Sequence, residues 1–308
     1  MFRDHHGSKG MPSNGLALLL TGSAWLGGGG LSAKLIGAIL AIVFAQACAT
    51  SGTSTQQENA RTMIWADEFD VAGLPDTSKW AYDVGSWGWG NNELQAYTSA
   101  RLENARVENG KLIIEAHREV YDSMDYSSAR LVTRGKQDFE TGYLEVRAKL
   151  PSGRGTWPAI WMLGTNIREV GWPTCGEIDI MEHVGFNVDS VFGTIHSGAY
   201  NHIIGTQKMG AIALPTAESE YHTYAVDWRD TSITFLVDET PYHHVSRDSA
   251  ATLAQWPFNA PQYLLLNIAV GGGWGGRRGV DTTIWPQRME VDWVRAWDVA
   301  PMLSTANH

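Results

Sequence analysis

An all-β fold, one curved sandwich of short strands, is what this sequence predicts, and three observations predict it. From Thr62 to about Val299, short runs of alternating or β-branched residues are broken by Gly, Pro, Asn and Asp. No segment carries the periodicity of a long helix. No internal repeat or linker divides the span, so residues 62–299 read as one domain, and 308 residues can bury a substantial core.

The amino terminus differs from everything after it. Lys34 precedes an eleven-residue apolar run, Leu35 to Ala45, followed by Gln46-Ala47-Cys48. A basic residue, a short apolar core and a small-x-small site are the layout of a secretory signal, and the run is too short to span a bilayer. Cys48 after Ala47 also resembles the lipobox of bacterial lipoproteins, with Ala45 where that pattern prefers Leu. Residues 1–48 therefore read as an export segment, with lipidation of Cys48 and plain cleavage as the two outcomes. Both take the protein out of the cytoplasm, secreted or lipid-anchored at the cell envelope. Residues 49–61, rich in Ser, Thr and Gln, read as a flexible linker, and residues 300–308 as a tail. The first 48 residues hold three basic residues and one acid, which leaves 20 basic against 32 acidic residues for the remainder. That balance, without any basic stripe, excludes nucleic acid as partner. Only Cys175 remains beyond residue 48, so no internal disulfide can support the fold.

Taken in order, the strands are predicted at Lys111 to Ala116, Tyr143 to Leu150, Ser190 to His196, Tyr221 to Trp228, Ser232 to Val237, Tyr263 to Val270 and Met289 to Trp297. Trp65 to Asp70, acids around aromatics, reads as structural. Gly88 to Tyr97 brings Asn91, Asn92 and Gln95 beside Trp89; amides and indole faces suit sugar hydroxyls and C–H faces, and equally a self-satisfied turn. Trp157 and Trp161 share a face by period two, as a cleft floor or as core. His196 closes a strand, and the other histidines lack zinc spacing. Gly271 to Gly276 follows a strand but opens no helix, so it reads as a rim carrying Trp274 and not as a phosphate loop.

The chain is organised around Glu177-Ile178-Asp179-Ile180-Met181-Glu182. Alternation places Glu177 and Asp179 on one face and Glu182 on the other. A β-bulge near Ile180 or Met181 restores Glu182 to the first face. Three carboxyls in a row cannot all ionise cheaply, and the resulting spread of pKa values suits a nucleophile beside a proton donor. An acidic edge strand or a carboxylate metal site fits the six residues as well.

The order Trp65 to Asp70, Asn91 to Tyr97, Ser128 to Lys136, Trp157 to Leu163, Gly171 through Glu182, Gly193 to His196, Tyr263 to Gly273 and Val291 to Val294 resembles glycoside hydrolase family 16, and within it the bacterial laminarinases. The resemblance implies a β-jelly roll of two curved antiparallel sheets with a concave substrate cleft. It implies a retaining endo-β-1,3-glucanase in which Glu177 is nucleophile, Glu182 general acid/base and Asp179 their neighbour, with the two glutamates about 5 to 5.5 Å apart. It further implies cleft positions at Asn91, Arg134, Trp157, Trp161, Trp172, His196 and Trp274. No cofactor is implied for the chemistry. A structural calcium is, held by carbonyl oxygens of Glu68 and Gly110 and by the carboxylate of Asp292. The expected partner is a β-glucan, and the expected state a monomer. Mixed-linkage glucan or galactan hydrolysis, and non-catalytic glucan binding, are the alternatives; the intact acidic strand favours catalysis. Gln137 to Glu140 is more acidic than the usual family segment there, and the loop from Tyr200 to Gln207 matches no binding role in the family pattern.

Overall fold

The computed structural model describes residues 61–301. The expected export segment, the expected linker before Arg61 and the residues after Pro301 lie outside the described residues. The chain runs through β1 (Met63–Asp67), β2 (Ala81–Tyr82), β3 (Gln95–Tyr97), β4 (Ala105–Glu108), β5 (Lys111–Tyr121), β6 (Met124–Ser128), β7 (Arg130–Val132), β8 (Gly142–Lys149) and β9 (Thr156–Gly164). It continues through β10 (Glu177–Glu182), β11 (Ser190–His196), β12 (Lys208–Ala213), β13 (His222–Arg229), β14 (Ser232–Val237), β15 (Thr240–Ser246), β16 (Gln262–Val270) and β17 (Gln287–Trp297). Helix is confined to the single turns Gly88–Gly90 and Ile167–Val170 among the described residues.

Two sheets form the sandwich. The larger has the order β15-β14-β13-β8-β17-β5-β6-β3, with β1 on β17 and β4 on β5; the smaller is β12-β11-β10-β9-β16-β7-β2. Their ladders are antiparallel apart from β3 with β6. The core lies between the sheets: Ile160, Met162, Leu264, Leu266 and Ile268 of the smaller meet Val146, Tyr224, Val226, Val291 and Val294 of the larger in one buried cluster. Burial of such side chains contributes about 1.5–3 kcal/mol each, which fixes the register of every strand they belong to. Gly193 shows how closely the sheets approach there: a Cβ on it would lie 2.6 Å from the Phe235 ring.

The other face of the smaller sheet has its own, smaller cluster, Val132, Leu163, Tyr263 and Leu265, with Trp161 and Trp172 packed against it. Because directly paired residues share a face, the pairs Glu177↔Leu163↔Tyr263 and Asp179↔Trp161↔Leu265↔Val132 put this cluster and the acidic residues on one surface. The outer face of the smaller sheet is therefore apolar at its floor and acidic along one strand.

Candidate active site

The strand β10 carries the bulge that its composition calls for. Its pairing with β9 steps from Asp179↔Trp161 to Met181↔Ile160, and its pairing with β11 from Asp179↔Thr194 to Glu182↔Phe192. Ile178, Ile180 and Met181 all enter the main core, so two consecutive side chains, Ile180 and Met181, point inward. Glu182 then emerges beside Asp179 and Glu177. The driving force is the core itself: a regular pleat would expose Met181 and bury the Glu182 carboxyl between the sheets, which costs several kcal/mol.

Each outer carboxyl has an indole donor. Trp172 Nε1 donates to Glu177 Oε2 at 2.9 Å, and Trp157 Nε1 donates to Glu182 Oε1 at 3.0 Å. His196, paired across from Glu177, sets its Nε2 3.3 Å from Asp179 Oδ2 and 3.8 Å from Glu177 Oε1. Asp179 and Glu182 are buried, while Glu177 keeps a small exposed edge. Burial is the main reason that all three acids are pushed up to about 8; the Asp179 charge next door adds to the rise of Glu177 and Glu182, and His196 offsets it.

That rise fixes the sign of a pH effect on stability. A carboxyl whose folded pKa lies above its unfolded value binds more protons when folded. Its stabilising share is complete below about 4.5 and is lost as pH climbs toward 8. Asp179→Asn, which cannot ionise, should therefore melt at a higher temperature than the wild type at pH 8 and at nearly the same temperature at pH 4. Melting curves of both proteins across this range check it; a difference that grows toward acid pH contradicts the burial argument.

Around the acids the remaining predicted residues take different parts. Trp161 lies on the floor and donates to Asn267 Oδ1 at 2.7 Å. Trp274 meets Trp157 edge-on at 5.7 Å and Phe192 at 5.1 Å, closing the wall beside Glu182. The glycine loop permits this: Gly271 and Gly272 have φ of +69° and +72°, and a Cβ on Gly272 would press within 3.1 Å of the Asn91 carbonyl. Asn91 ties that wall together, its amide donating to Glu93 and its carbonyl accepting from Gly273. Arg134 stands apart. It pairs with Asp83, donates to the Tyr263 hydroxyl and lies over that ring, and Tyr263 itself stands two strands across the sheet from Glu177.

Three residues of the cleft were not singled out in the sequence. Arg130 is sandwiched between the Trp89 and Trp161 rings, 4.7 and 4.6 Å from their centroids, and pairs with Asp83. Period two from Val132 signals its face. Glu93 is buried beneath Asn91, bonded to Gln95 and Tyr97. His202, in the loop that matches no binding role in the family pattern, lies 5.0 Å from Trp172 and 5.3 Å from His196. No pattern in the sequence links that loop to β10; only the fold does.

The positions expected to hold calcium meet at one corner of the larger sheet. Asp292 is the bulged residue between Val291 and Trp293, Glu68 follows the Asp67↔Val294 pair, and Gly110 ends the turn into β5. Asp292 Oδ2 accepts from Arg147 at 2.7 Å and Oδ1 pairs with Lys111 Nζ at 3.5 Å, so an ion bound there would have to displace the lysine. Two carbonyls and a carboxylate oxygen are donors of the kind a hard cation takes.

An apolar floor, aromatic walls and a row of three proton-sharing carboxyls suit the cleavage of an uncharged polar chain. Comparison with known proteins agrees. The model of glycosyl hydrolases family 16 matches residues 91–295. A β-glucanase of Rhodothermus marinus is 54% identical over 241 residues, covering 76% of this chain and 84% of that protein. A glucan endo-1,3-β-glucosidase of Cryptopygus antarcticus is 38% identical over 253 residues, covering 77% and 92%. The solved laminarinase structure from Rhodothermus marinus superposes with a TM-score of 0.75 at 53% identity, over 77% of this chain and 97% of that one. By sequence, by fold and by the bulged acidic strand at the centre of its cleft, the chain belongs to glycosyl hydrolase family 16.

Proposed function

We propose that the protein is a retaining endo-β-1,3-glucanase in which Glu177 attacks the anomeric carbon and Glu182 is the acid/base. The observation that carries this reading is the bulge, which brings Glu182 onto the face of Glu177 and gives each outer carboxyl its own indole donor. With acids pushed up to about 8, the row is not fully ionised at neutral pH, and a proton is available to it. Glu177, the least buried, accepts the Trp172 N–H and faces His196, which suits it to hold the charge.

In the first step a Glu177 oxygen forms the bond to the anomeric carbon while Glu182 delivers its proton to the departing glucan oxygen. Charge leaves Glu177 as it arrives on Glu182, where the Trp157 N–H receives it. The net charge of the buried row is unchanged, so the step avoids the repulsion that full ionisation would bring. Water then enters, Glu182 takes its proton, the hydroxyl oxygen attacks the anomeric carbon, and Glu177 is released as carboxylate with retained configuration. The outer face spans seven strands, about 30 Å, with β10 third from the β12 edge. A chain lying across the strands has room for sugars on both sides of the bond, as internal cleavage requires.

Incubating the protein separately with laminarin, mixed-linkage barley glucan and agarose, and sizing the products, tests the substrate. Short oligosaccharides should appear from laminarin at early times, with fewer or none from agarose. Release from agarose alone would replace the glucan with a galactan, and binding without release would turn the reading to a glucan-recognition protein.

The reading extends to two features outside the chemistry. A calcium ion at the Glu68, Gly110 and Asp292 corner would brace β1, β5 and β17, so EDTA should lower the melting temperature by several degrees; an unchanged melt leaves that corner to Lys111 and Arg147. A polymer substrate outside the cell also suits the export signal, and with it a lipid on Cys48. Labelled palmitate should then enter the expressed protein and not its Cys48→Ala variant; label in both, or in neither, removes the anchor.

A further inference from the structure

We propose that Glu177, Asp179 and His196 form a binding site for a zinc-class divalent ion, one that occupies the centre of the cleft and shuts it reversibly. Among the described residues these three offer one ligand atom each, all within 4.8 Å of one another. The spacing suits a small ion. Ligands about 2.0–2.1 Å from a tetrahedral zinc stand roughly 3.4 Å from each other. His196 Nε2 is 3.3 Å from Asp179 Oδ2 and 3.8 Å from Glu177 Oε1, so little movement would bring the three onto one ion.

An independent observation sets this cluster apart from a merely acidic patch. Asp179 is 3% exposed, and its Oδ2 is buried without a hydrogen-bond partner even though His196 Nε2 is near. A buried oxygen left unpaired is unfavourable, and an ion bonded to it supplies the missing partner. The strands hold the set in place: Glu177 pairs with His196 and Asp179 with Thr194, so the ligands stand on two adjacent, hydrogen-bonded elements. One imidazole nitrogen with two carboxylate oxygens leaves a fourth position for water, and it suits zinc better than calcium or magnesium, which favour oxygen alone.

The site differs from a structural zinc centre in one respect. His196 Nδ1 is buried without a partner, whereas a ligating histidine ordinarily donates its second N–H. Such outer partners are worth about 10–100-fold in affinity, so this ion is exchangeable and inhibitory, not a permanent part of the fold. The metal binding does not depend on the glucanase reading. The inhibition does, because it rests on Glu177 being the nucleophile.

Calorimetric titration of zinc chloride into the full-length protein, freed of metal beforehand, tests the proposal. One site is expected, weakened at least 10-fold by His196→Ala and by the isosteric Asp179→Asn, and retained in Glu182→Gln, which removes a neighbour that is not a ligand. Zinc should also slow laminarin release, with full recovery on adding EDTA. No heat of binding in the wild type, or heat that survives both ligand substitutions, overturns the site; the second result assigns the metal to histidines elsewhere. Binding that behaves as expected while laminarin is not cleaved at all would instead strike the glucanase reading and leave the metal site standing.

Discussion

Glu177→Gln should fold, bind laminarin and turn it over on the order of 10⁴-fold more slowly, or worse. The amide is isosteric and can still accept the Trp172 N–H that holds the acid at 2.9 Å, so the cleft wall around it stays in place. What it lacks is the lone pair of an ionised oxygen, and without that no glycosyl ester forms. The same substitution should raise the melting temperature at pH 8, since it removes one of three acids that burial and mutual repulsion push up to about 8. Loss of activity with a gain in stability separates a strained catalytic group from a structural one. Progress curves with laminarin and melting curves at pH 8 measure the two effects; a variant that loses both together would make Glu177 a scaffold residue.

Glu182→Gln should be disabled selectively. Cleavage of the natural polymer, whose departing sugar oxygen needs a proton, should fall by about 10²–10⁴-fold. An aryl glucoside with an acidic phenol as leaving group needs no such proton, so its first step should survive, and an early burst of phenol should precede slow release of sugar. The slow second step follows because the group that donates the proton must also take one from water. Trp157 gives the bond that stabilises the ionised form, so Trp157→Phe should affect the same step in milder degree. Stopped-flow release of the phenol distinguishes the roles. Equal losses with both leaving groups would remove Glu182 from proton transfer and leave Asp179 as the candidate.

Much of this was legible in the sequence, because alternation reports directly on sheets. The strands at Ser190 to His196 and Ser232 to Val237 match β11 and β14 residue for residue. Others differ at their ends. The strand expected from Lys111 to Ala116 runs on to Tyr121, since β6 pairs back onto its exposed second half, where no apolar alternation marks it. The bulge was readable for a different reason: three carboxyls at uneven spacing, between apolar residues, have one arrangement that keeps all of them out of the core. Trp157 and Trp161 gave no such sign, since tryptophan serves core and cleft alike. Only the outer cluster of Val132, Leu163, Tyr263 and Leu265, against which Trp161 packs, and the bond from Trp157 to Glu182 show that both indoles face the substrate side.

Residues whose role depends on contact between distant segments could not be read. Arg130 owes its place to Trp89 and Trp161, which come from two other parts of the chain. Arg134, four positions on, has the more conspicuous context of Thr133 and Gly135, yet the structure ties it to Asp83 and Tyr263 at a distance from the acids. His202 is a further case, brought over Trp172 by a loop that has no apolar pattern of its own.

Double displacement requires a covalent bond between Glu177 and the cleaved sugar, and mass spectrometry can look for that bond. The wild-type enzyme, treated with a laminaribiosyl fluoride whose 2-hydroxyl is replaced by fluorine, should gain the mass of one disaccharide because the electronegative substituent slows hydrolysis of the ester. Peptide digestion should place the added mass on Glu177. Label on Asp179 or Glu182, or turnover to an inverted anomer with no adduct at all, would contradict the assignment of Glu177 as nucleophile and with it the double displacement.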